Sequence, residues 1–235
     1  AAGAQCKSYG APALMRVPGR IHITWQDDKT LRLDMDAGTQ TRIFRFDPPP
    51  AKSAPSWQGD STARWEALPV ARGTDPAPAR GWLKVTTTNL KAGYLRKNGV
   101  PYSEAAGLTE YYDLGTLPNG DQVIVLTSVV DDPRYLAQPF VLSTQFKKQA
   151  DAAGWDPTPC SATWSVLHPL TRLCPWLVGP ALGIGATCAP VSAQTDLSGS
   201  WVSIQHEDAL ERGAGPYQVD YTGLPLNDEG RAKAL

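Results

Sequence analysis

The sequence predicts an all-β protein folded as a closed, antiparallel up-and-down barrel of about eight to ten strands with few short helices. Apolar and polar residues alternate with a period of two over most of the chain up to Lys148, which is typical of strands that bury one face. The 235 residues include 21 glycines and 21 prolines but only 19% charged residues, a composition that favours many turns. Barrel closure would pair the edge strands that such a meander otherwise exposes.

The first three predicted strands form a meander near the N-terminus. They cover residues 20–25, 30–36 and 41–46, in which apolar and polar side chains alternate. Short turns separate them at residues 27–29 and 37–38. Connections of this length join neighbouring antiparallel strands.

Further segments continue the strand pattern, and two proline-rich stretches interrupt it. Strands are predicted at residues 61–66, 81–90, 94–97, 108–114, 122–131 and 140–148. The interruptions, residues 47–55 and 72–80, contain prolines, which cannot donate to a β-ladder, so they are predicted to be loops. Residues 118–121, Pro-Asn-Gly-Asp, predict a tight turn.

The stretch 172–193 has the three parts of a secretory signal peptide, although it lies near the end of the chain. Arg172 precedes an apolar run, and Val191-Ser192-Ala193 forms a small-x-small cleavage site. A packed linker and a membrane span are the alternatives, but prolines interrupt the run before it reaches the roughly 20 apolar residues of a span. We therefore expect no stable membrane span.

This stretch divides the chain into three parts. Residues 1–160 form the barrel body, residues 161–195 a signal-peptide-like linker, and residues 196–235 a segment that completes the barrel. The last part contains a strand at 201–204 and a helix at 226–235, capped by Asn227. We expect the strand around Trp201 to pair with a barrel strand, because barrels tolerate permutation at exposed ends.

The four cysteines help to predict the cellular compartment in which the protein works. Cys174 and Cys188 lie in the leader-like stretch, so a working protein without it would keep Cys6 and Cys160 at the two ends of the barrel body. Such a pair in an exported protein most simply forms a disulfide, which predicts a periplasmic or secreted location. The alternative is four free thiols in a reducing compartment.

Charge and motifs narrow the function classes. The net charge of −1, without a lysine or arginine block, points to neither a nucleic-acid nor an anionic-membrane partner. No motif for a cofactor or for a named catalytic machinery occurs, so we expect no cofactor. His206-Glu207-Asp208 would need a further metal ligand, and neighbours in a strand point to opposite faces, so no metal site is predicted. The sequence indicates no particular oligomeric state.

Three residues are candidates for acid-base catalysis. Glu110 and Tyr112 share one face of a predicted strand, where burial would raise the pKa of a carboxyl group toward working pH. His22 lies between Ile21 and Ile23, inside the barrel if its interior is polar and outside if it is apolar. The alternative is a buried pair of Glu110 with an arginine, for which Arg45 is the candidate.

Four residues are candidates for ligand binding. Arg96 and Tyr102 flank the turn Asn98-Gly99, so this hairpin would either overhang the barrel mouth and hold an anionic group or be a plain hairpin with charged flanks. Trp25 lies on the strand face opposite His22, toward the core or a ligand. Arg45 could contribute from a neighbouring strand.

Two resemblances reinforce the predicted fold. Asp196-Leu197-Ser198-Gly199-Ser200-Trp201 resembles the Gly-x-Trp opening of lipocalin-like barrels, in which the tryptophan closes the barrel floor. The body is similar to an uncharacterised family of exported bacterial proteins through MRVPGRIHITWQDD at 15–28, DAGTQTR at 36–42 and GYLRKNGVPYSE at 93–104. In that family the leader, the Gly-x-Trp strand and a PLN-x-x-GR helix come first. The resemblance therefore implies a permuted domain here, or a junction of two gene copies, and it implies no activity.

These observations leave three hypotheses for function. The first is an exported barrel that binds a small, mostly apolar molecule, because barrels of about eight strands leave room for one ligand. The second is an enzyme that uses the Glu110, Tyr112 and His22 set on an apolar substrate. The third is a filled barrel that serves as a protein-interaction module. Fold alone does not decide among them.

Overall fold

The computed structural model describes six parts of the chain. They are residues 4–47, 53–67, 81–96, 99–160, 195–204 and 224–234. The leader-like stretch 172–193 and the His206-Glu207-Asp208 cluster lie outside these described residues, as does the loop predicted at 72–80.

Thirteen strands and three short helical segments make up the described structure. The strands are β1 (Arg20–Asp27), β2 (Thr30–Met35), β3 (Ala37–Gly38), β4 (Gln40–Arg45), β5 (Asp60–Ala67), β6 (Gly81–Thr88), β7 (Gly93–Tyr94), β8 (Pro101–Tyr102), β9 (Gly107–Thr116), β10 (Gln122–Asp131), β11 (Phe140–Gln149), β12 (Thr158–Pro159) and β13 (Gly199–Ser203). Nine of them close into a barrel in the order β1-β13-β11-β10-β9-β6-β5-β4-β2. The prediction of an all-β barrel is confirmed.

One junction of the barrel departs from the predicted antiparallel order. β4 and β5 are parallel, with Phe44 opposite Ser61 and Arg45 opposite Thr62. The side chain of Gln58, just before β5, donates to Gln40, the first residue of β4, at 2.9 Å. The chain therefore returns to the starting end of β4 before β5 begins, and β5 must run in the same direction as β4.

β13 closes the barrel between strands that are distant in sequence. Trp201 lies opposite Ile21 of β1 on one side and Lys148 of β11 on the other. Its side chain is fully buried, and its indole Nε1 donates to the carbonyl of Leu197 at 3.1 Å. The pairing predicted for this strand is confirmed.

A short N-terminal segment covers the barrel end at which β1 begins, here called the plugged end. It consists of a 3₁₀-helix, Ala4–Tyr9, and the helix α1, Ala11–Leu14. Leu14 and Met15 are buried in the same cluster as the barrel residue Ile21. Pro12 at the first turn of α1 suits a helix start, because proline lacks the N–H that the first turn leaves unpaired.

The predicted C-terminal helix is confirmed as α2, Asp228–Ala234. The Asn227 side-chain oxygen caps it by accepting from the Gly230 backbone N–H at 2.9 Å. Arg134 forms an ion pair with Glu229, which ties α2 to the connection between β10 and β11. No helix among the described residues is long and apolar enough to span a membrane.

A disulfide joins the two ends of the barrel body. Cys6 in the 3₁₀-helix is bonded to Cys160, 154 positions away in sequence. Next to this bond, β12 pairs in parallel with β3, so the end of the body is held against the β2–β4 connection. The predicted cysteine pairing is confirmed.

Replacing both cysteines by serine should lower the free energy of unfolding by about 5 kcal/mol, because a crosslink over so long a loop restricts the unfolded chain strongly. Guanidinium unfolding under oxidising conditions measures this loss. Wild-type protein unfolded in the presence of a reductant is the matched control and should resemble the double variant. An unfolding midpoint that reduction leaves unchanged would contradict the prediction.

Candidate functional site

A fully buried ion pair lies inside the barrel. Arg42 of β4 donates from Nη1 to Glu110 Oε1 at 2.8 Å and from Nη2 to Glu110 Oε2 at 2.5 Å, and both side chains are 0% exposed. The guanidinium also lies over the Phe44 ring, 4.9 Å from its centroid. Two parallel hydrogen bonds to a carboxylate are the strongest arrangement available to arginine.

Neighbouring hydroxyl groups extend this pair into a network. Arg42 Nη2 also donates to Thr87 Oγ1 at 3.2 Å, and Thr87 Oγ1 lies 2.8 Å from Ser61 Oγ. The Tyr112 hydroxyl donates to Glu110 Oε1 at 3.4 Å. Burial, together with the charge of Glu110, raises the pKa of Tyr112 well above its usual value, so this phenol stays protonated at neutral pH.

The arginine that reaches Glu110 is Arg42 rather than the predicted Arg45. Residues 42 and 44 of β4 point into the barrel, whereas Arg45 lies on the opposite face and is half-buried. Burial lowers the pKa of Arg42, but the charge of Glu110 outweighs that effect and holds the pKa above its ordinary value. The network is therefore a charged pair that satisfies the Glu110 carboxylate and both Nη atoms of Arg42, whereas Arg42 Nε is buried without a hydrogen bond.

His22 does not join Glu110 and Tyr112. Ile21 and Ile23 are buried on the inner face of β1, which places His22 on the outer face. There its ring stacks on Trp155, with centroids 3.9 Å apart and planes 14° apart. The structure thus assembles two of the three predicted catalytic residues and leaves the third on the other side of the barrel wall.

The predicted hairpin residues lie in and beside the plugged end. Tyr102 is fully buried in an apolar cluster with Leu95 and Val100, and its ring packs against Gly10. Burial raises the pKa of Tyr102 far above its usual range. Arg96, just after β7, is half-buried. Neither residue lies with Trp25.

Three aromatic rings line the opposite end of the barrel, here called the aromatic end. Trp25, near the end of β1, stacks on Phe46 with centroids 5.5 Å apart, and Phe46 stacks on Trp65 of β5 at 6.3 Å. Trp25 shares the inner face of Ile21 and Ile23, yet it is 38% exposed. Phe46, Trp65 and Leu114 are partly buried against the barrel core.

One polar group at the aromatic end has no partner. The indole Nε1 of Trp65 is buried and makes no hydrogen bond. Leaving a buried donor unpaired costs about 1 to 3 kcal/mol, so such a group is a candidate for binding an acceptor from outside the chain.

Phe46 and Trp65 were not expected at this end from the sequence. Both lie on predicted strands, and the alternation of residues 42, 44 and 46 would place Phe46 on an inner face. Their meeting with Trp25 depends on the stagger between β1, β4 and β5, which no single strand encodes.

Removing one member of the buried Arg42–Glu110 pair should destabilise the folded protein. Glu110→Leu or Arg42→Met should each lower the free energy of unfolding by about 3 to 5 kcal/mol, because the remaining group stays buried without its partner. The double variant Arg42→Met/Glu110→Leu should recover much of the loss. Urea unfolding of the four proteins measures the coupling.

Glu229→Gln is the matched control, because it breaks the exposed Arg134–Glu229 pair, whose side chains are 58% and 55% exposed. It should change stability only marginally, since water screens exposed pairs. A single variant of the buried pair that behaves like this control would contradict the prediction.

No protein-family model matches this sequence, and neither a curated protein nor a solved structure matches it. The resemblance to exported, lipocalin-like barrels stays a prediction. Function is therefore inferred from the described side chains and their contacts.

Proposed function

We propose that this protein binds a small, mostly apolar molecule at the aromatic end of its barrel. The observation that carries the proposal is the stack of Trp25, Phe46 and Trp65, whose outermost ring is 38% exposed above an apolar core. Exposed aromatic rings that continue a buried apolar surface gain most from covering by an apolar partner.

The filled interior supports binding at the barrel end rather than deep inside. Phe44, Tyr112 and Trp201 each leave at most 1% of their surface exposed, and all belong to one packed cluster. A ligand would therefore lie against the stack, with one side covered by Trp25. Flat, apolar molecules fit such a surface best, since offset stacking favours ring-to-ring contact.

The unpaired indole N–H of Trp65 adds a polar requirement. A carbonyl or ether oxygen on the ligand could accept from Trp65 Nε1, which is buried without a partner. Pairing a buried donor supports specificity, because a molecule that lacks the acceptor leaves that donor unpaired. The proposed ligand is thus an apolar molecule with one acceptor group.

We also propose that the protein works in the periplasm or after secretion. The support is the Cys6–Cys160 disulfide, since disulfides persist in oxidising compartments and are rare in the cytosol. A crosslink at the end of the barrel body suits a domain that works without reductants around it.

The packed barrel interior also affects the two other hypotheses, the enzyme and the protein-interaction module. Glu110 is held by two hydrogen bonds from Arg42, so acting as a base would require it to give up its ion pair. This speaks against the catalytic set. The filled interior favours a protein-interaction module as the second candidate, in which the exposed aromatic end contacts a partner protein.

Trp25→Leu should weaken the binding of a neutral, flat, apolar probe by about tenfold or more, because it removes the exposed ring of the stack. Nile red is a suitable probe, since its fluorescence rises in apolar surroundings. A titration of purified, disulfide-bonded protein with Nile red gives the dissociation constant directly.

Trp82→Leu is the matched control. Trp82 lies on the outer face of β6, where it donates to Glu66 at 3.0 Å and meets Tyr111 edge-on, whereas Trp65 of the stack pairs with the inward-facing Leu83. This variant should bind Nile red as wild type does. Equal losses in both variants, or no saturable binding by wild type, would contradict ligand binding at the aromatic end and favour the interaction module.

A further inference from the structure

A small cavity lies at the plugged end, between α1 and the strands β10 and β11. Its volume is about 10 Å³, and it is partly open to solvent. Apolar side chains form most of its wall, joined by one guanidinium and one hydroxyl group. The residues that line the cavity include Pro12, Met15, Arg16, Ser128, Phe140 and Leu142.

Arg16 carries an unpaired charge at this cavity. Although the residue as a whole is partly exposed, its Nε and Nη2 atoms are buried and make no hydrogen bond. None of the ion pairs among the described residues includes Arg16. Burial, followed by the charge of Arg96, lowers the pKa of Arg16 to about 10, so the group is still protonated at neutral pH.

The fold holds the Arg16 guanidinium in place without using its donors. After α1 the chain turns, with the Arg16 N–H donating to the Ala13 carbonyl at 3.1 Å. The guanidinium lies over the Phe140 ring, 5.5 Å from its centroid. This contact uses the face of the guanidinium and leaves Nε and Nη2 at its edge buried without a hydrogen bond.

The two unpaired atoms form an edge that binds carboxylates. Elsewhere in this chain Arg32 uses the same edge, with Nε donating to Asp34 Oδ2 at 2.7 Å and Nη2 donating to Asp34 Oδ1 at 2.9 Å. Such paired contacts match the two oxygens of a carboxylate. A buried arginine without a counter-charge is costly, so an anion from outside would stabilise this end of the barrel.

We propose that this cavity is a binding site for the carboxylate of a small apolar acid. The carboxylate accepts from Arg16 Nε and Nη2, and the Ser128 hydroxyl in the same wall is a further donor. The apolar part of the acid lies against Phe140 and Leu142. The enclosed space admits about one water-sized group and the two nitrogens are buried, so binding requires the surrounding side chains to move apart, and the rest of the acid extends through the open side.

The walls favour a monocarboxylate over phosphate. Among the described residues, Arg16 is the one charged residue in the cavity wall, so it pairs directly with one negative charge, whereas a doubly charged phosphate would need a second direct partner. Phe140, Leu142 and Met15 add apolar contacts that phosphate and chloride cannot use.

This site is separate from the aromatic end and does not rest on the function proposed there. Arg16 precedes the start of β1, whereas Trp25 lies near the other end of that strand. Nile red titration tests the aromatic end, and titration with a carboxylic acid tests this cavity, so either proposal can fail without the other.

The experiment is isothermal titration calorimetry of the full, disulfide-bonded chain with sodium hexanoate at constant ionic strength. Hexanoate should bind saturably, and hexanol, chloride and phosphate should bind at least about tenfold more weakly. Arg16→Met, which keeps the apolar stem, should weaken hexanoate binding at least about tenfold, because two hydrogen bonds to a charged group are lost. Arg64→Met is the matched control and should bind as wild type does. The Arg64 side chain is 66% exposed and forms an ion pair with the neighbouring Glu66.

Arg16→Lys distinguishes the effect of the positive charge from the effect of the planar guanidinium. It also provides a test if the Arg16→Met variant fails to fold. It keeps the positive charge but lacks the planar edge, so it should bind hexanoate more weakly than wild type. Equal hexanoate affinity in wild type and both Arg16 variants would overturn the proposal. So would equal affinity of wild type for hexanol, chloride or phosphate, or no saturable binding of hexanoate.

Discussion

Closure of the barrel by β13 is the constraint on which the rest of the structure depends. Without this strand, β1 and β11 would each leave an unpaired edge, and exposed edges promote aggregation. Trp201 contributes to this closure in two ways. Its backbone pairs with β1 and β11, and its side chain is buried in the barrel interior. The disulfide between Cys6 and Cys160 then ties the plug to the end of the body, so the ends of the closed sheet are held together.

A closed wall with a packed interior decides where polar groups can lie. Water does not reach Arg42 and Glu110, so each needs the other, and the network through Thr87 supplies a further acceptor. Such a pair contributes little net stability compared with apolar residues of equal size, and it joins β4 to β9 across the barrel. Glu110 and Tyr112, which look most catalytic in the sequence, therefore lie within the packed interior of the fold.

The two proposed binding sites lie at opposite ends of the barrel, and the ends differ. At the aromatic end, Trp25 and Trp65 offer ring surface and one unpaired N–H. At the plugged end, Arg16 offers a charged edge within apolar walls. Both ends combine an apolar surface with an unpaired donor, which is the combination that small-molecule sites generally use. The packed centre keeps the two surfaces apart.

The sequence by itself determined the barrel, most of its strands and the capped C-terminal helix, because alternation, turns and caps are local. It also paired Cys6 with Cys160, because the other two cysteines lie in the leader-like stretch. It also placed Glu110 and Tyr112 on one face of a strand. Only the tertiary structure decided that Arg42 rather than Arg45 meets Glu110, that His22 stacks outside on Trp155, and that β4 and β5 run parallel. These outcomes depend on the stagger and direction of strands distant in sequence, and a shift of one residue exchanges the inner and outer faces.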